Sequence, residues 1–302
     1  MQLPRKELIS VQEFSCFTNS MSGDLQMTQK TWFITGASRG IGAEIAKAVL
    51  AAGDQLIATA RNQTSLHQFE SNPNVLALSL DITDEAQVQA AVAAGLEKFG
   101  QIDVLVNNAG FGLLGGIEET SAQEVERVYR TNVFGLLNVT RAVLPSMRQR
   151  RSGHIINLSS IGGYRSSFGW GVYCSTKFAV EGITEALHDE LAPLGIHATV
   201  VEPGYFRTDF LDGSSLQQTA MQIPDYVETV GKMRKLASER NYQQPGDPTK
   251  LAQALLEIVN ADTPPLRLPL GTDTLQAIAE KNAYVEQETA QWRTLAESTD
   301  YR

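Results

Sequence analysis

Cysteine is almost absent: the 302 residues hold two, Cys16 and Cys174, far apart and in no Cys-x-x-Cys pair. That excludes a disulfide framework and a cysteine-based zinc site, and it points to a reducing compartment. Histidine is equally sparse. His67, His154, His188 and His197 show no metal-ligand spacing such as HExxH, so no metal is expected. Positive charge is in deficit, with 25 Lys and Arg against 34 Asp and Glu for a formal charge of -9. A surface built for phosphate backbones or anionic lipid would need the reverse, so nucleic acid and membrane partners are not expected. No apolar run reaches the length of a membrane span, and polar residues keep interrupting the first thirty, which leaves no hydrophobic signal core. A cytoplasmic protein is the expectation.

What is present begins at Thr31. Residues 1–30 carry no sustained period and include two internal methionines, Met21 and Met27. They read either as an extension, flexible or bound to something, or as the product of a start placed upstream of the true one. From Thr31 onward, short apolar runs alternate with helix-length amphipathic segments, the pattern of repeated βαβ units and a parallel sheet. Strands are predicted at Thr31–Thr35, Gln55–Ala60, Val75–Leu80, Val104–Asn107, His154–Leu158, Ala198–Glu202 and Leu266–Leu270. Helices are predicted over Ile41–Ala52, Glu85–Phe99, Ala122–Arg150, Val172–Leu194, Pro248–Asn260 and Thr274–Glu297, with Pro145 bending or breaking the third. One domain spans 31–302 in this reading, with a substrate-loop region over 205–245.

The first predicted strand runs through Thr35-Gly36-Ala37-Ser38-Arg39-Gly40-Ile41-Gly42 straight into a helix. Glycines there let the backbone turn tightly and approach a ligand, and a helix N-terminus favours an anion, so this is a pyrophosphate site. The spacing departs from GxGxxG. It resembles instead the Thr-Gly-x-x-x-Gly-Ile-Gly opening of the short-chain dehydrogenase/reductase family. Asn107-Asn108-Ala109-Gly110 matches that family's segment after the fourth strand. Asn132, Ser160, Tyr173 and Lys177 follow the order and spacing of its catalytic tetrad, and Pro203-Gly204 its segment after the sixth strand. The run from Pro203 to Phe210, with Pro245-Gly246-Asp247-Pro248, is similar to bacterial oxidoreductases related to 17β-hydroxysteroid dehydrogenase. The resemblance implies a Rossmann-type α/β fold, a doubly wound parallel sheet of about seven strands in the order 3-2-1-4-5-6-7 with helices on both faces.

Cofactor choice is legible at the end of the second strand. An acid there would select NAD, whereas the sequence reads Ala60-Arg61, with Arg39 inside the glycine turn; two guanidinium groups suit a 2′-phosphate, so NADP(H) is expected. Beyond the turn itself, with Gly36, Ser38, Arg39, Gly40, Ile41 and Gly42, the resemblance implies contacts from several later positions. They are Asp81 and Ile82 to the adenine, Asn108, Ala109 and Gly110, Lys177 to the nicotinamide ribose beside Tyr173, and Pro203, Gly204 and Thr208. Asp81 has the alternative of capping the next helix.

Tyr173 and Lys177 are four residues apart in a helical stretch, which puts both on one face. A neighbouring cation would stabilise a phenolate and lower a titration that otherwise lies near pH 10, making Tyr173 a general acid/base. Ser160 would polarise the substrate carbonyl. Asn132, by resemblance, would hold a water beside the lysine, and Cys174 would either pack or line the pocket. Aromatic and apolar residues in the loops after strands four to six, among them Tyr164, Phe168, Trp170, Phe206, Phe210 and Met221, suit a hydrophobic carbonyl or alcohol substrate. Two rivals are an NAD-linked alcohol dehydrogenase and a dinucleotide-binding redox sensor without turnover. Association through the two long helices into a homodimer or homotetramer is implied by the family.

Overall fold

The computed structural model describes residues 29–69 and 71–301. Cys16 and nearly all of the extension expected over residues 1–30 lie outside the described residues. Gln29 and Lys30 at its end already bond to the turn at Gly53 and Asp54. Along the chain come β1 (Thr31–Thr35), α1 (Gly40–Ala51), β2 (Gln55–Ala60), β3 (Val75–Ser79), α2 (Glu85–Phe99) and β4 (Val104–Asn107). Then follow β5 (Gly112–Leu114), α3 (Ala122–Tyr129), α4 (Leu136–Arg150), β6 (Gly153–Leu158), α5 (Ile161–Tyr164) and α6 (Gly171–Leu191). The last third holds β7 (Ile196–Pro203), β8 (Leu216–Gln218), α7 (Lys232–Arg240), α8 (Pro248–Val259), β9 (Arg267–Leu270) and α9 (Thr272–Glu297).

Seven strands form one sheet in the order β3-β2-β1-β4-β6-β7-β9, every pairing parallel. This is the expected doubly wound order, with β5 and β8 set aside in a sheet of their own. Alternation along β1 shows how two-sided burial is achieved. Trp32 and Ile34 join the core under α1 and α8, while Phe33 joins the opposite core under α2 and α4, because successive strand residues face opposite ways. Polar groups cross the second layer in pairs: the Asn107 amide donates to Thr140 Oγ1 and Asn157 Oδ1, and the Asn157 amide to Thr184 Oγ1, all at 2.9 Å. These buried bonds tie β4 and β6 to α4 and α6, while Asn107 Oδ1 itself stays without a partner. Strand succession reverses between β1 and β4, and the crevice at their carboxyl ends is where such sheets place ligands.

Two expectations need correction. The long helix predicted over Ala122–Arg150 is α3 and α4 joined by a π-helical turn at Arg130–Gly135, and α4 continues through Pro145 without a break. Proline removes one N–H there, whereas at the turn Gly135 lies so close to Ile82 that a Cβ would sit 2.6 Å from its Cδ1, and the Asn132 amide is drawn to the Phe111 backbone. Helix irregularity therefore falls where tertiary contacts demand it. The second correction concerns the loop region 205–245. It contains β8 and α7 and is sutured to the body by β5–β8 pairing. Beneath that pairing Glu119, fully buried, accepts from Arg234 Nη2 at 2.5 Å, Gly116 N at 2.7 Å and Ile223 N at 2.8 Å. Burial alone would raise this carboxyl, but those donors hold it below its ordinary range.

Among the described residues no helix is long and apolar enough to cross a membrane.

Removing one partner of a buried ion pair leaves an uncompensated charge. Glu119→Gln is expected to cost about 3 kcal/mol in urea unfolding and to speed amide exchange across residues 216–223. Unchanged exchange there would mean that Glu119 does not fasten the loop.

Candidate active site

The glycine turn is positioned by its neighbours on the sheet. Gly36 and Gly40 have φ of 67° and 54°, the left-handed region that side chains avoid. The Asn108 amide donates to the carbonyls of Thr35 and Gly36 at 2.9 and 3.0 Å, and Thr35 Oγ1 accepts the N–H groups of Asn108 and Ala109 at 3.0 Å. Gly42 serves a different end: a Cβ there would lie 2.3 Å from the Gly36 oxygen, so this glycine lets α1 pack on the turn and does not line the cavity. Arg39 stands before α1 in extended conformation with no side-chain cap. The first N–H groups of the helix, which have no intrahelical partner, therefore open on the cavity with Gly36, Ser38, Gly40 and Ile41 along its wall.

That cavity, about 1470 Å³, runs over the carboxyl ends of the strands. Its far end is walled by Ala60, Arg61, Asp81 and Ile82. Arg61 is exposed and lines the cavity. Arg39 reaches the same space but is held from the opposite wall, with Nε 3.2 Å from Asp209 and Nη2 donating to Ser214 O and Ser215 Oγ at 2.7 Å. Asp81 is not a helix cap. Its Oδ1 accepts from Thr83 N and Oγ1, and the cap of α2 is Asp84.

The near end gathers Ser160, Tyr173 and Lys177. Tyr173 is buried, with Trp170 edge-on at 5.6 Å and Phe210 at 5.8 Å between ring centres. Burial pushes its phenol well above the ordinary value; the Cys174 thiol adds to the rise and a hydrogen bond with Ser160 opposes it. Lys177 is buried too, donating to Leu158 O at 2.7 Å and lying 5.8 Å from the Tyr173 ring centre. Burial lowers its ammonium to about 8, against the pull of Glu181. In place of the lowering of Tyr173 expected from sequence, burial raises the phenol, because desolvation disfavours the charged form of each member of the pair.

Asn132 lies in the π-helical turn and does not line the cavity. Its amide donates to Phe111 O at 3.0 Å and Thr176 Oγ1 at 3.1 Å, while its oxygen accepts from Phe111 N. Both donors being occupied, only its oxygens remain for a water. Pro203, Gly204 and Thr208 border the cavity with Asn108, Ala109 and Gly110. A Cβ at Gly204 would strike Asp273, which also accepts from Tyr205 N at 2.7 Å. Cys174 is a buried free thiol raised by burial, with hydrogen bonds to Ser166 and Ser167 opposing; it lines the wall. Motif reading missed Arg127, Arg130, Arg165 and Gln244, which enter from other elements, and nothing local in the sequence marks them.

Comparison with known proteins gives the family and the fold. The family described as short chain dehydrogenase matches residues 30–219. The oxidoreductase BOA17 of Botryotinia fuckeliana is 39% identical over 88% of this chain and 98% of its own length. The 3-ketodihydrosphingosine reductase of Bacteroides thetaiotaomicron is 37% identical over 79% of this chain and 86% of its own. A short-chain dehydrogenase from Streptomyces avermitilis superposes with a TM-score of 0.85 at 40% identity, covering 91% of this chain and 100% of that one. ElxO with NADP bound superposes at 0.69 with 29% identity, covering 82% and 99%.

Proposed function

Because the chain belongs to the short-chain dehydrogenase family, and is therefore an oxidoreductase of that kind, we propose that it moves hydride between NADP(H) and a hydrophobic ketone, aldehyde or secondary alcohol. The observation that carries this reading is one cavity that holds both an uncapped helix N-terminus and, at its other end, the buried phenol of Tyr173 with Ser160 and Lys177 on the same wall. Its volume exceeds the range of about 300–1,000 Å³ for small-molecule pockets, which suits a dinucleotide with a second molecule beside it.

The residues present fit such a cofactor. The N–H groups of Ser38, Gly40 and Ile41 would hold the pyrophosphate, and a Cβ at Gly36 would already stand 3.1 Å from Ala109, so the wall has no room for a side chain. Asp81 and Ile82 would flank the adenine, with Asn108, Ala109, Gly110, Pro203, Gly204 and Thr208 along the strand ends. Arg61 would read the 2′-phosphate; Arg39, tied to Asp209, Ser214 and Ser215, contributes the smaller part. When bound, the nicotinamide supplies or accepts the hydride.

In reduction, Tyr173 donates its phenolic proton to the carbonyl oxygen while Ser160 hydrogen-bonds that oxygen. The Lys177 ammonium then stabilises the phenolate that is left. Burial, which raises the phenol, keeps Tyr173 in its protonated, proton-donating form. Asn132 is a positioning residue, tying the Phe111 segment to Thr176 beside Lys177. The apolar wall of Trp170, Phe210 and Leu211 supports a hydrophobic substrate, as does the likeness to a 3-ketodihydrosphingosine reductase. A homodimer or homotetramer through the long helices belongs to the same reading. Exposed Phe134 and Phe178 offer apolar surface there, and sedimentation showing only monomer at assay concentration would remove it.

The direct experiment follows NADPH and NADH oxidation across a panel of ketones, aldehydes and steroids. Tyr173→Phe is expected to bind NADPH as the parent does while losing about 10²-fold to 10⁴-fold in turnover; normal turnover would eliminate Tyr173 as the acid. Arg61→Ala is expected to weaken NADPH about 10- to 100-fold and leave NADH unaffected. Equal losses for both cofactors, or none, would favour an NAD-linked enzyme. Tight NADPH binding without turnover on any substrate would favour a redox sensor.

A further inference from the structure

The buried polar stripe of α6 does not end at Lys177. Tyr173, Lys177 and Glu181 stand at successive i, i+4 positions, on one face of the helix, and Glu181 is as buried as the other two, 5% exposed. Glu202, at the end of β7, is fully buried beside it. Arg267 of β9 ion-pairs with Glu181, Glu185 and Glu202, the last at 2.6 Å, and its guanidinium lies 5.8 Å from the Tyr164 ring centre. Ser159, next to Ser160, completes the group. A Cβ at Gly163 would fall 2.3 Å from Ser159 Oγ and 2.8 Å from Glu181 Oε1, so glycine in α5 leaves room for both oxygens at one point.

Two features of this cluster go together. Glu181 Oε1, Glu202 Oε2 and Ser159 Oγ are buried without a hydrogen-bond partner, and the one hydroxyl proton of Ser159 can serve only one of the two carboxylate oxygens. In addition, two deeply buried carboxylates share one guanidinium, an excess negative charge where desolvation is most severe. A single added proton answers both, since it gives the two unpartnered carboxylate oxygens a donor and lessens the excess of negative charge around Arg267, as when two carboxyl groups share a site. Burial pushes Glu181 up to about 7, with Ser159 opposing, Glu202 adding to the rise and Arg267 countering it. The groups that face it are Lys177 and Glu185 on its own helix, Glu202 from β7, Arg267 from β9 and Ser159 from the end of β6. Lys177 feels the result, for Glu181 is the charge that works against the lowering of its ammonium by burial.

We propose that Glu181 and Glu202 share one buried proton against Arg267, and that Glu181, once that proton has left, is the positioning residue that keeps Lys177 charged beneath Tyr173. The functional part of this statement rests on the role given to Lys177 above. The charge logic follows the order of titration. As pH rises past neutrality Glu181 ionises first, and its new negative charge supports the Lys177 ammonium over the interval in which burial would otherwise discharge it.

The test is made on the full-length protein without substrate, so that it decides the proposal whether or not a turnover assay succeeds. Infrared difference spectra between pH 6 and pH 9 are expected to show loss of the carbonyl stretch of a buried protonated carboxyl. That signal should be absent from Glu181→Gln, and in Glu202→Gln its loss should move to lower pH, because the like charge that adds to the rise of Glu181 is gone. Nitrogen-detected NMR of the Lys177 ammonium is expected to give a midpoint about 8, falling by about one pH unit in Glu181→Gln and partly restored in Glu181→Asp. In an active preparation, the alkaline limb of kcat/KM for carbonyl reduction should move with it. Absence of the carboxyl signal in the parent would overturn the shared proton, and the parent spectrum alone suffices if a variant fails to fold. An unchanged Lys177 midpoint in Glu181→Gln would overturn the coupling. Loss of the panel activity with both spectroscopic results intact would count against the enzymatic reading and leave the proton pair standing.

Discussion

The Asn108 side chain, reaching across the sheet to the carbonyls of Thr35 and Gly36, is the contact on which the site depends. It joins the ends of β1 and β4 at the point where strand succession reverses, and Thr35 Oγ1 returns the link by accepting the N–H groups of Asn108 and Ala109. With the turn pinned, Gly42 brings α1 so close that no side chain would fit. The helix then presents its free N–H groups to the crevice. Everything else in the cavity is measured from that fixed edge.

Desolvation is the second organising force, and it acts on the site in one direction. It raises Tyr173, Cys174 and Glu181 and lowers Lys177, disfavouring charge wherever it appears. Such an interior keeps the phenol protonated and makes the ammonium costly to maintain. A buried acid one helical turn further along α6 is therefore a physically coherent neighbour for the lysine. The same logic accounts for Arg267, whose guanidinium, lowered by burial, is drawn the other way and held charged by Glu185, Glu202 and Glu181.

The substrate side is assembled by long-range pairing. β5 and β8 are three residues each and meet across a hundred residues of chain, and the Glu119–Arg234 pair lies beneath them. Short strands need such support to persist. A segment that reads as a glycine-rich and aromatic loop becomes one wall of a cavity, with Phe210 and Leu211 packed against Trp170 and Tyr173.

Much of this was legible in the sequence. Apolar runs of strand length, separated by amphipathic helices, located the seven strands and their parallel sense, because strands buried on both faces leave a signature that does not depend on their partners; their order came from the family resemblance. The motifs located the glycine turn, Ser160, Tyr173 and Lys177, since each is a local pattern of residue type and spacing. Three matters were decided only by the tertiary structure. Arg39, on the cavity wall, is held by Asp209, Ser214 and Ser215 because a segment some 170 residues later folds over it. The helix is distorted at Asn132 and not at Pro145, because Phe111, Thr176 and Ile82 press there. Protonation at Tyr173 and Lys177 is set by how far water is excluded, and Glu181, Glu202 and Arg267 converge from three elements that carry no shared motif. Local periodicity and spacing determine which residues this chain brings to the site; burial, which is a sum over neighbours distant in sequence, determines their charge.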